Sequence, residues 1–189
     1  MKKIFLSALI AIIPYVAIGA QPEQNWNSYI GANMGLSATD ITVNGEDFFD
    51  FGSVYNFEVG ARYKKRSRLA LNYQSRAEVS ELFQILAGHT ISVTNNALRI
   101  NAYYDYVSLD KFAMYIGIGA GGDRYSYKIT DRYNDATESK HGFTFTGGAS
   151  TGISFRMGHF YLDLGASVDY IAKPKMLGFG PNIGLRYNF

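Results

Sequence analysis

The sequence contains no cysteine, which excludes a disulfide framework, a thiolate metal site and a cysteine nucleophile. Charged residues are also scarce, at 18% of the 189 residues, and the formal net charge is +2. Without Lys2 and Lys3 near the N-terminus, the chain carries 16 basic and 16 acidic residues. This neutral balance argues against nucleic-acid binding, because such binding depends on an excess of Lys and Arg facing the phosphates.

Long apolar runs are missing after the first twenty residues. Residues 1–20 combine two lysines, an apolar stretch over 4–13 and small residues up to Ala20, which is the pattern of a secretory signal peptide. A membrane-spanning helix is the alternative, but the run is short and is interrupted by Pro14. We therefore expect cleavage after residue 19 or 20. Any later membrane insertion must then use strands, since only helices and closed barrels satisfy the backbone in lipid.

Glycine and aromatic residues are abundant, with 20 Gly, 15 Tyr and 13 Phe. Their arrangement is clearest over residues 178–189, where every second residue is apolar or aromatic and the residues between are polar or very small. This period of two predicts a strand with two unlike faces. The apolar set consists of Phe179, Pro181, Ile183, Leu185, Tyr187 and Phe189.

The same alternation predicts eight strands in one domain over residues 21–189. We predict them at 26–37, 51–63, 67–76, 96–106, 112–122, 141–155, 160–171 and 178–189. Long polar connections alternate with short turns, and the long ones are 38–50, 77–95, 123–140 and 172–177. Within the second, Val79 to Leu86 has helical spacing, which leaves a short helix and a strand extension as alternatives.

The composition of the two faces predicts which one points inward. The polar face consists of Gly, Ser, Thr, Asn and Tyr with a few Arg and Asp, and it has almost no Lys or Glu, unlike a surface in water. Small residues suit the inside of a narrow barrel, so a membrane barrel is favoured over a soluble lipocalin-like barrel. Aromatic residues at the short-turn ends predict a girdle at one membrane interface: Trp26, Tyr63, Tyr106, Phe112, Phe155, Phe160, Tyr187 and Phe189. Tyr170 and Phe51 are candidates for the opposite girdle.

Three stretches carry a family resemblance: WNSYIGANMG after the leader, YIGIGAGG at 115–122 and the closing IGLRYNF. They resemble the porin-like, opacity-protein family of small outer-membrane barrels, which is similar in architecture to OmpA and OmpX. The resemblance implies the outer membrane of a Gram-negative bacterium, surrounding lipopolysaccharide and a barrel-assembly machinery that reads Tyr187 and Phe189. Unlike OmpA, the sequence shows no stretch that resembles a periplasmic domain, so the resemblance gives no expectation of peptidoglycan anchoring.

Charged residues on the polar face are the candidate site. Because buried charges must be paired, we interpret them as an internal network that fills the barrel, with a polar path for ions as the alternative. They are Glu58, Arg62, Arg68, Arg76, Arg99, Asp105, Asp163, Asp169 and Arg186. The three histidines, His89, His141 and His159, do not have metal-ligand spacing, and we expect neither a metal nor a cofactor.

Function on barrel scaffolds usually lies in the external loops. We therefore expect a non-enzymatic surface protein, similar to an adhesin or surface antigen, whose loops contact a host protein or glycan. A narrow passive pore is the first alternative. A lipid A-modifying enzyme is the second: a deacylase-like His-x-Ser sequence is absent, but Ser and His could still meet in space.

Overall fold

A computed structural model describes residues 26–43, 46–64, 66–79, 89–131, 137–173 and 175–189. These residues form a closed antiparallel barrel of eight strands, in which each strand pairs with its sequence neighbours and the last pairs with the first. The strands are β1 (Trp26–Val43), β2 (Glu46–Tyr63), β3 (Ser67–Val79), β4 (His89–Ser108), β5 (Phe112–Asp131), β6 (Thr137–Met157), β7 (Phe160–Ile171) and β8 (Lys175–Asn188). The predicted fold class is confirmed. The predicted signal peptide at 1–20 lies outside the described residues.

The two faces of the strands point as the alternation predicts. Phe57 and Ile183 lie on the outside and are 56% and 49% exposed, whereas Arg99 and Asn101 lie inside and are each 7% exposed. Apolar side chains therefore cover the outer surface, and the polar face lines the interior. In the ranges that the structure describes, no helix has both the length and the apolar character needed to cross a membrane.

Three short turns lie at the same end of the barrel as the start of β1 and the end of β8. They connect β2 to β3, β4 to β5 and β6 to β7. In the first, the Arg66 amide donates a hydrogen bond to the Tyr63 carbonyl oxygen at 3.1 Å, and Lys64 has a φ of 47°. In the third, Gly158 has a φ of 70°, a conformation that glycine adopts without steric cost. These tight reversals mark the predicted short-turn end.

The strands extend much further at the opposite end than the sequence predicts. Most of the predicted connections 38–50, 77–95 and 123–140 is strand, and β8 begins at Lys175, inside the predicted connection 172–177. The prediction of long connections from the polar composition of these stretches is wrong. Neighbouring strands satisfy each other's backbone donors and acceptors in these stretches. The hydrogen-bonded pairing of the strands can therefore continue even where the side chains are polar.

The alternation also continues into these extensions. Ile41, Val93 and Tyr127 point inward and are buried, although each lies in a stretch predicted as a connection. The pairing is continuous, with Ala77 opposite Thr94 in the β3–β4 ladder. Of the predicted helical segment, Val79 is the last residue of β3, and the rest lies outside the described residues.

The barrel rim is uneven in height. β4, β5 and β6 have 20, 20 and 21 residues, whereas β7 has 12. The last residue of β7, Ile171, pairs with Thr146, so residues 137–145 of β6 continue with β5 as their ladder partner. We call this taller part, residues 89–97, 122–131 and 137–145, the β4–β6 wall.

Candidate functional site

The interior near the short-turn end is centred on Asp105. Its carboxylate accepts hydrogen bonds from Arg62 at 2.7 Å and from Arg68 at 3.1 Å. All three side chains are buried: Arg62 is 8% exposed, Arg68 is 2% exposed and Asp105 is 1% exposed. Tyr103 and Tyr115 flank Arg68, whose guanidinium carbon lies 4.7 and 4.8 Å from their ring centres. One carboxylate is therefore shared by two arginines, and both guanidinium groups also contact tyrosine rings.

A second ion pair lies beside the first and joins β8 to β7. Arg186 donates to the Asp163 carboxylate at 3.1 Å, and the Ser154 hydroxyl hydrogen-bonds to the same carboxylate. The guanidinium carbon of Arg186 is 4.7 Å from the ring centre of Tyr161 and 5.4 Å from that of Tyr29. Tyr161 also accepts a hydrogen bond from Arg62, so the two ion pairs share one tyrosine.

A third group lies further towards the long-strand end. The Asp169 carboxylate accepts from Arg99 at 2.5 Å and from Arg76 at 2.8 Å, and all three side chains are at most 7% exposed. Gly148 makes room for this group: a Cβ at this position would lie 2.5 Å from an Asp169 carboxylate oxygen and 2.8 Å from Arg99 Nη2. The glycine-rich face of β6 thus leaves space for charged side chains from other strands.

Glu58 is the predicted interior acid that forms no ion pair with these arginines within the described structure. It is 7% exposed and accepts a hydrogen bond from the Tyr103 hydroxyl at 3.0 Å. The structure thus places all nine predicted site residues in the interior. It joins eight of them into three clusters around Asp105, Asp163 and Asp169.

The interior contains one further acid that sequence reasoning assigned to the third long connection. Asp123 is 1% exposed and points inward from β5. Its carboxylate is close enough to Arg76 and Arg99 to interact with their positive charges. With it, the described interior holds five arginines and five acids. Asp123 follows the inward series Gly117, Gly119 and Gly121 by the same period of two, which is the signal that could have placed it.

An apolar cluster lies in the interior above the ion pairs, towards the long-strand end. It consists of buried side chains from β1, β4, β5, β7 and β8, with Tyr125 packed against it: Ile41, Val93, Tyr127, Ile171 and Met176. Below it, the space lined by Asn56, Arg76 and Asn182 measures about 10 Å³, roughly the room for one water molecule. The ion pairs and the apolar cluster together occupy much of the described interior, as expected for eight strands.

Aromatic side chains surround the outside at the short-turn end. Trp26 and Tyr63 have ring centres 4.8 Å apart, and Phe160 and Tyr187 have ring centres 5.0 Å apart. Phe189 packs edge-on against Tyr187 at 5.2 Å. At the other end Phe51 and Tyr170 also face outward, with exposures of 51% and 42%. The outer surface thus has an apolar band between aromatic rings at both ends, as membrane barrels do.

The three histidines lie in three different elements, two strands and one turn. His159 is in the short turn after β6, where its Nδ1 is 3.0 Å from the Asn188 carbonyl oxygen. His141 faces outward on β6, opposite Ser126 of β5 in the register, and His89 begins β4. Among the described residues, no group of three or more His, Cys, Asp or Glu is arranged to hold a metal ion.

A closed barrel with a lipid-facing apolar band, aromatic girdles and a filled charged interior defines the outer-membrane class of membrane proteins. A family model described as the outer membrane protein beta-barrel domain matches residues 8–189. The chain belongs to this family and is an outer-membrane protein. The family resemblance inferred from the three sequence stretches is confirmed.

Several solved structures share the fold at low sequence identity. Neisserial surface protein A has a TM-score of 0.61 and 15% identity, covering 86% of this chain and 97% of that chain. Ail, the attachment invasion locus protein of Yersinia pestis, in complex with the heparin analogue sucrose octasulfate, has a TM-score of 0.53 and 14% identity over 86% and 99%. A major outer membrane protein from Thermus thermophilus has a TM-score of 0.54 and 12% identity over 84% and 99%. No curated protein matches the chain by sequence.

Proposed function

We propose that this protein is a non-enzymatic surface protein whose external part contacts a host protein or glycan. The observation that carries the proposal is the height of the β4–β6 wall. A tilted strand crosses a bilayer in about 9–11 residues, whereas these strands have 20 or 21. About half of each strand is therefore available outside the membrane as a rigid, paired surface.

The β1–β2 hairpin adds a second external surface, because its two strands have 18 residues each. A rigid sheet loses less conformational entropy on binding than a mobile loop does, which favours recognition by such a surface. Two proteins of the same fold support the proposal by their names, since one is a surface protein and the other an attachment protein bound to a heparin analogue. A sulfated glycan is therefore a reasonable first ligand to test.

The test is a trimmed barrel that keeps the membrane-spanning part. Replacing residues 125–142 by a short turn removes the top of the β5–β6 hairpin, and replacing 40–49 separately removes the top of β1–β2, which measures the share of the second surface. Cells that display each variant are compared for adherence to host cells, with and without soluble heparin. We expect the first deletion to abolish adherence. Equal adherence by a trimmed barrel that still shows heat-modifiable gel mobility would contradict the proposal.

A passive pore is a weaker candidate. Its support is the polar interior, but the ion pairs and the apolar cluster occupy the path that ions would take. Planar bilayers containing the purified barrel are expected to remain silent at ±100 mV. Stepwise conductance that disappears when the protein is heat-unfolded would establish a pore and overturn this ranking.

A lipid-modifying enzyme is supported by a single observation, the cross-strand position of Ser126 and His141 on the outer face. Directly opposite residues in an antiparallel ladder have Cβ atoms about 4.5–5.5 Å apart, which is within range of a serine–histidine pair. Mass spectrometry of lipid A from cells with and without the protein tests this activity. Ser126→Ala is the control, and acyl chains lost with the native protein but retained with the variant would establish the enzyme.

A further inference from the structure

The outward face of the β4–β6 wall carries a strip of basic side chains. Arg124, Lys128 and His141 all point outward and are exposed. In the β5–β6 register Arg124 lies opposite Phe143, and Lys128 lies opposite Ser139. On the described outward positions of the wall no acidic side chain accompanies them. The strip is therefore a surface of one charge sign.

The strip lies at the level of the lipid headgroups. Phe112 belongs to the aromatic girdle at the short-turn end, and Arg124 follows it by twelve residues on the same strand. At about 3.4 Å per residue and a tilt of about 40°, Arg124 is roughly 30 Å above Phe112, and Lys128 is roughly 40 Å above it. The hydrocarbon core is about 30 Å thick, and the bilayer with headgroups about 40–45 Å.

We propose that Arg124 and Lys128, with His141 between them, bind the phosphate groups of a phosphorylated lipid in the outer leaflet. Phosphate and basic side chains form charge-assisted hydrogen bonds, which strengthen at the edge of a low-dielectric layer. The occupant is a lipid rather than a soluble anion, because the strip faces the surrounding leaflet and not the barrel axis.

The surface below the strip suits the acyl chains of the same lipid. Phe143 is 82% exposed beside Arg124. Gly122 lies one outward position below Arg124, and a Cβ placed there would have no protein atom within 4 Å. No packing within the described chain requires a glycine at this position, whereas an outward glycine leaves room for close approach of an external molecule.

The opposite side of the barrel lacks this combination. The exposed Asp40 faces outward near the top of β1, and its charge repels an anionic headgroup. Lys175 is an exposed cation at the start of β8, opposite Thr42 of β1. Lys173 is exposed two residues before Lys175, but the acidic Asp40 on the adjacent β1 gives this side a mixed charge, so Lys175→Gln is a matched control for the loss of a single external charge.

The proposal is tested with the purified full-length barrel in a nonionic detergent. Binding of bisphosphorylated lipid A, of the same lipid without phosphates and of inorganic phosphate is measured by native mass spectrometry. The variants are Arg124→Gln with Lys128→Gln, Gly122→Leu, and Lys175→Gln as the control. Heat-modifiable gel mobility establishes that each variant is folded, and Ser126 and His141 are left intact so that the enzyme candidate is not affected.

We expect the double variant to bind bisphosphorylated lipid A about 30-fold more weakly, since each basic residue near an anionic surface contributes about 1 kcal/mol. Lys175→Gln should bind like the native protein, and Gly122→Leu should weaken binding of the acylated lipid without altering binding of inorganic phosphate. Native affinity in the double variant would overturn the proposal, as would an equal loss in Lys175→Gln. Equal binding of the phosphate-free lipid would overturn it as well.

Discussion

The interior ion pairs can be tested by removing the acid that two arginines share. Asp105→Asn keeps the side-chain volume but removes the charge that faces Arg62 and Arg68, whose side chains are 8% and 2% exposed. Breaking a buried pair by removing one partner costs about 3–5 kcal/mol, because the remaining charge has no compensation. Two charges remain here, so the upper part of that range is expected for the loss in the free energy of unfolding.

The measurement is urea-induced unfolding of the barrel in lipid vesicles, followed by tryptophan fluorescence. The chain has a single tryptophan, Trp26, which lies in the girdle against Tyr63 and changes environment on unfolding. Asp110→Asn is the matched control, because Asp110 is exposed in a short turn at the same end of the barrel. This variant should stay within about 0.5 kcal/mol of the native protein.

A second variant separates loss of charge balance from loss of packing. Adding Arg62→Met to Asp105→Asn removes one of the two positive charges that faced Asp105 and should restore part of the lost stability, a coupling that a double-mutant cycle measures. The reasoning is refuted if Asp105→Asn alone lies within about 1 kcal/mol of the native protein, or if the added Arg62→Met lowers stability further.

Three further changes test other parts of the structure by the same unfolding assay. Gly121→Ala should cost about 1–3 kcal/mol because its Cβ would overlap a backbone carbonyl oxygen of β4, whereas the outward Gly122→Ala meets open space and should be nearly neutral. Met176→Ala should cost about 2–5 kcal/mol by leaving a cavity in the apolar cluster, while Leu177→Ala, on the lipid-facing side, leaves no interior cavity and should cost clearly less. Arg68→Lys should cost at least about 1 kcal/mol through loss of contacts with two tyrosine rings, and native stability in this variant would contradict the assigned stacking.

The strand number, the order and the two faces were predictable because lipid and interior impose different residue types on alternate positions. Phe57 and Arg99, for example, are assigned to opposite sides by the alternation alone. Close pairing between strands then follows from the need to satisfy every backbone group in lipid. The same alternation of lipid-facing and interior residues therefore occurs in each of the eight strands of the described chain, and it predicts the fold strand by strand.

The strand ends at the long-strand end of the barrel were less predictable, because the outer face there is no longer surrounded by the hydrocarbon of the membrane. Above the hydrocarbon core, outward positions such as Ser126 and Lys128 are polar or charged, so the contrast between the two faces of the strand disappears. Some inward positions remain apolar, as in Ile41 and Tyr127. A period-two pattern that survives only in part, within a polar segment, is therefore not distinguished from a loop by composition.

The partners within the interior were not predictable at all, because a barrel joins residues that are distant in sequence. Arg99 and Asp169 come from β4 and β7 and meet across the interior. Alternation places each residue inside but does not say which neighbour it faces across the lumen. Strand tilt and the register around the closed sheet decide that, and neither can be derived from single-strand patterns.

The choice of arginine for every buried interior cation follows from the geometry of the site. Arg68 donates to one carboxylate and stacks against two tyrosine rings, and Arg186 does the same with Asp163 and its own pair of tyrosines. A lysine ammonium is a strongly hydrated point charge, so it would lose its water without gaining planar contacts. The scarcity of lysine on the polar face therefore has two causes. This face is not exposed to water, and the narrow interior favours a planar guanidinium, which can pair with a carboxylate and stack against aromatic rings at the same time.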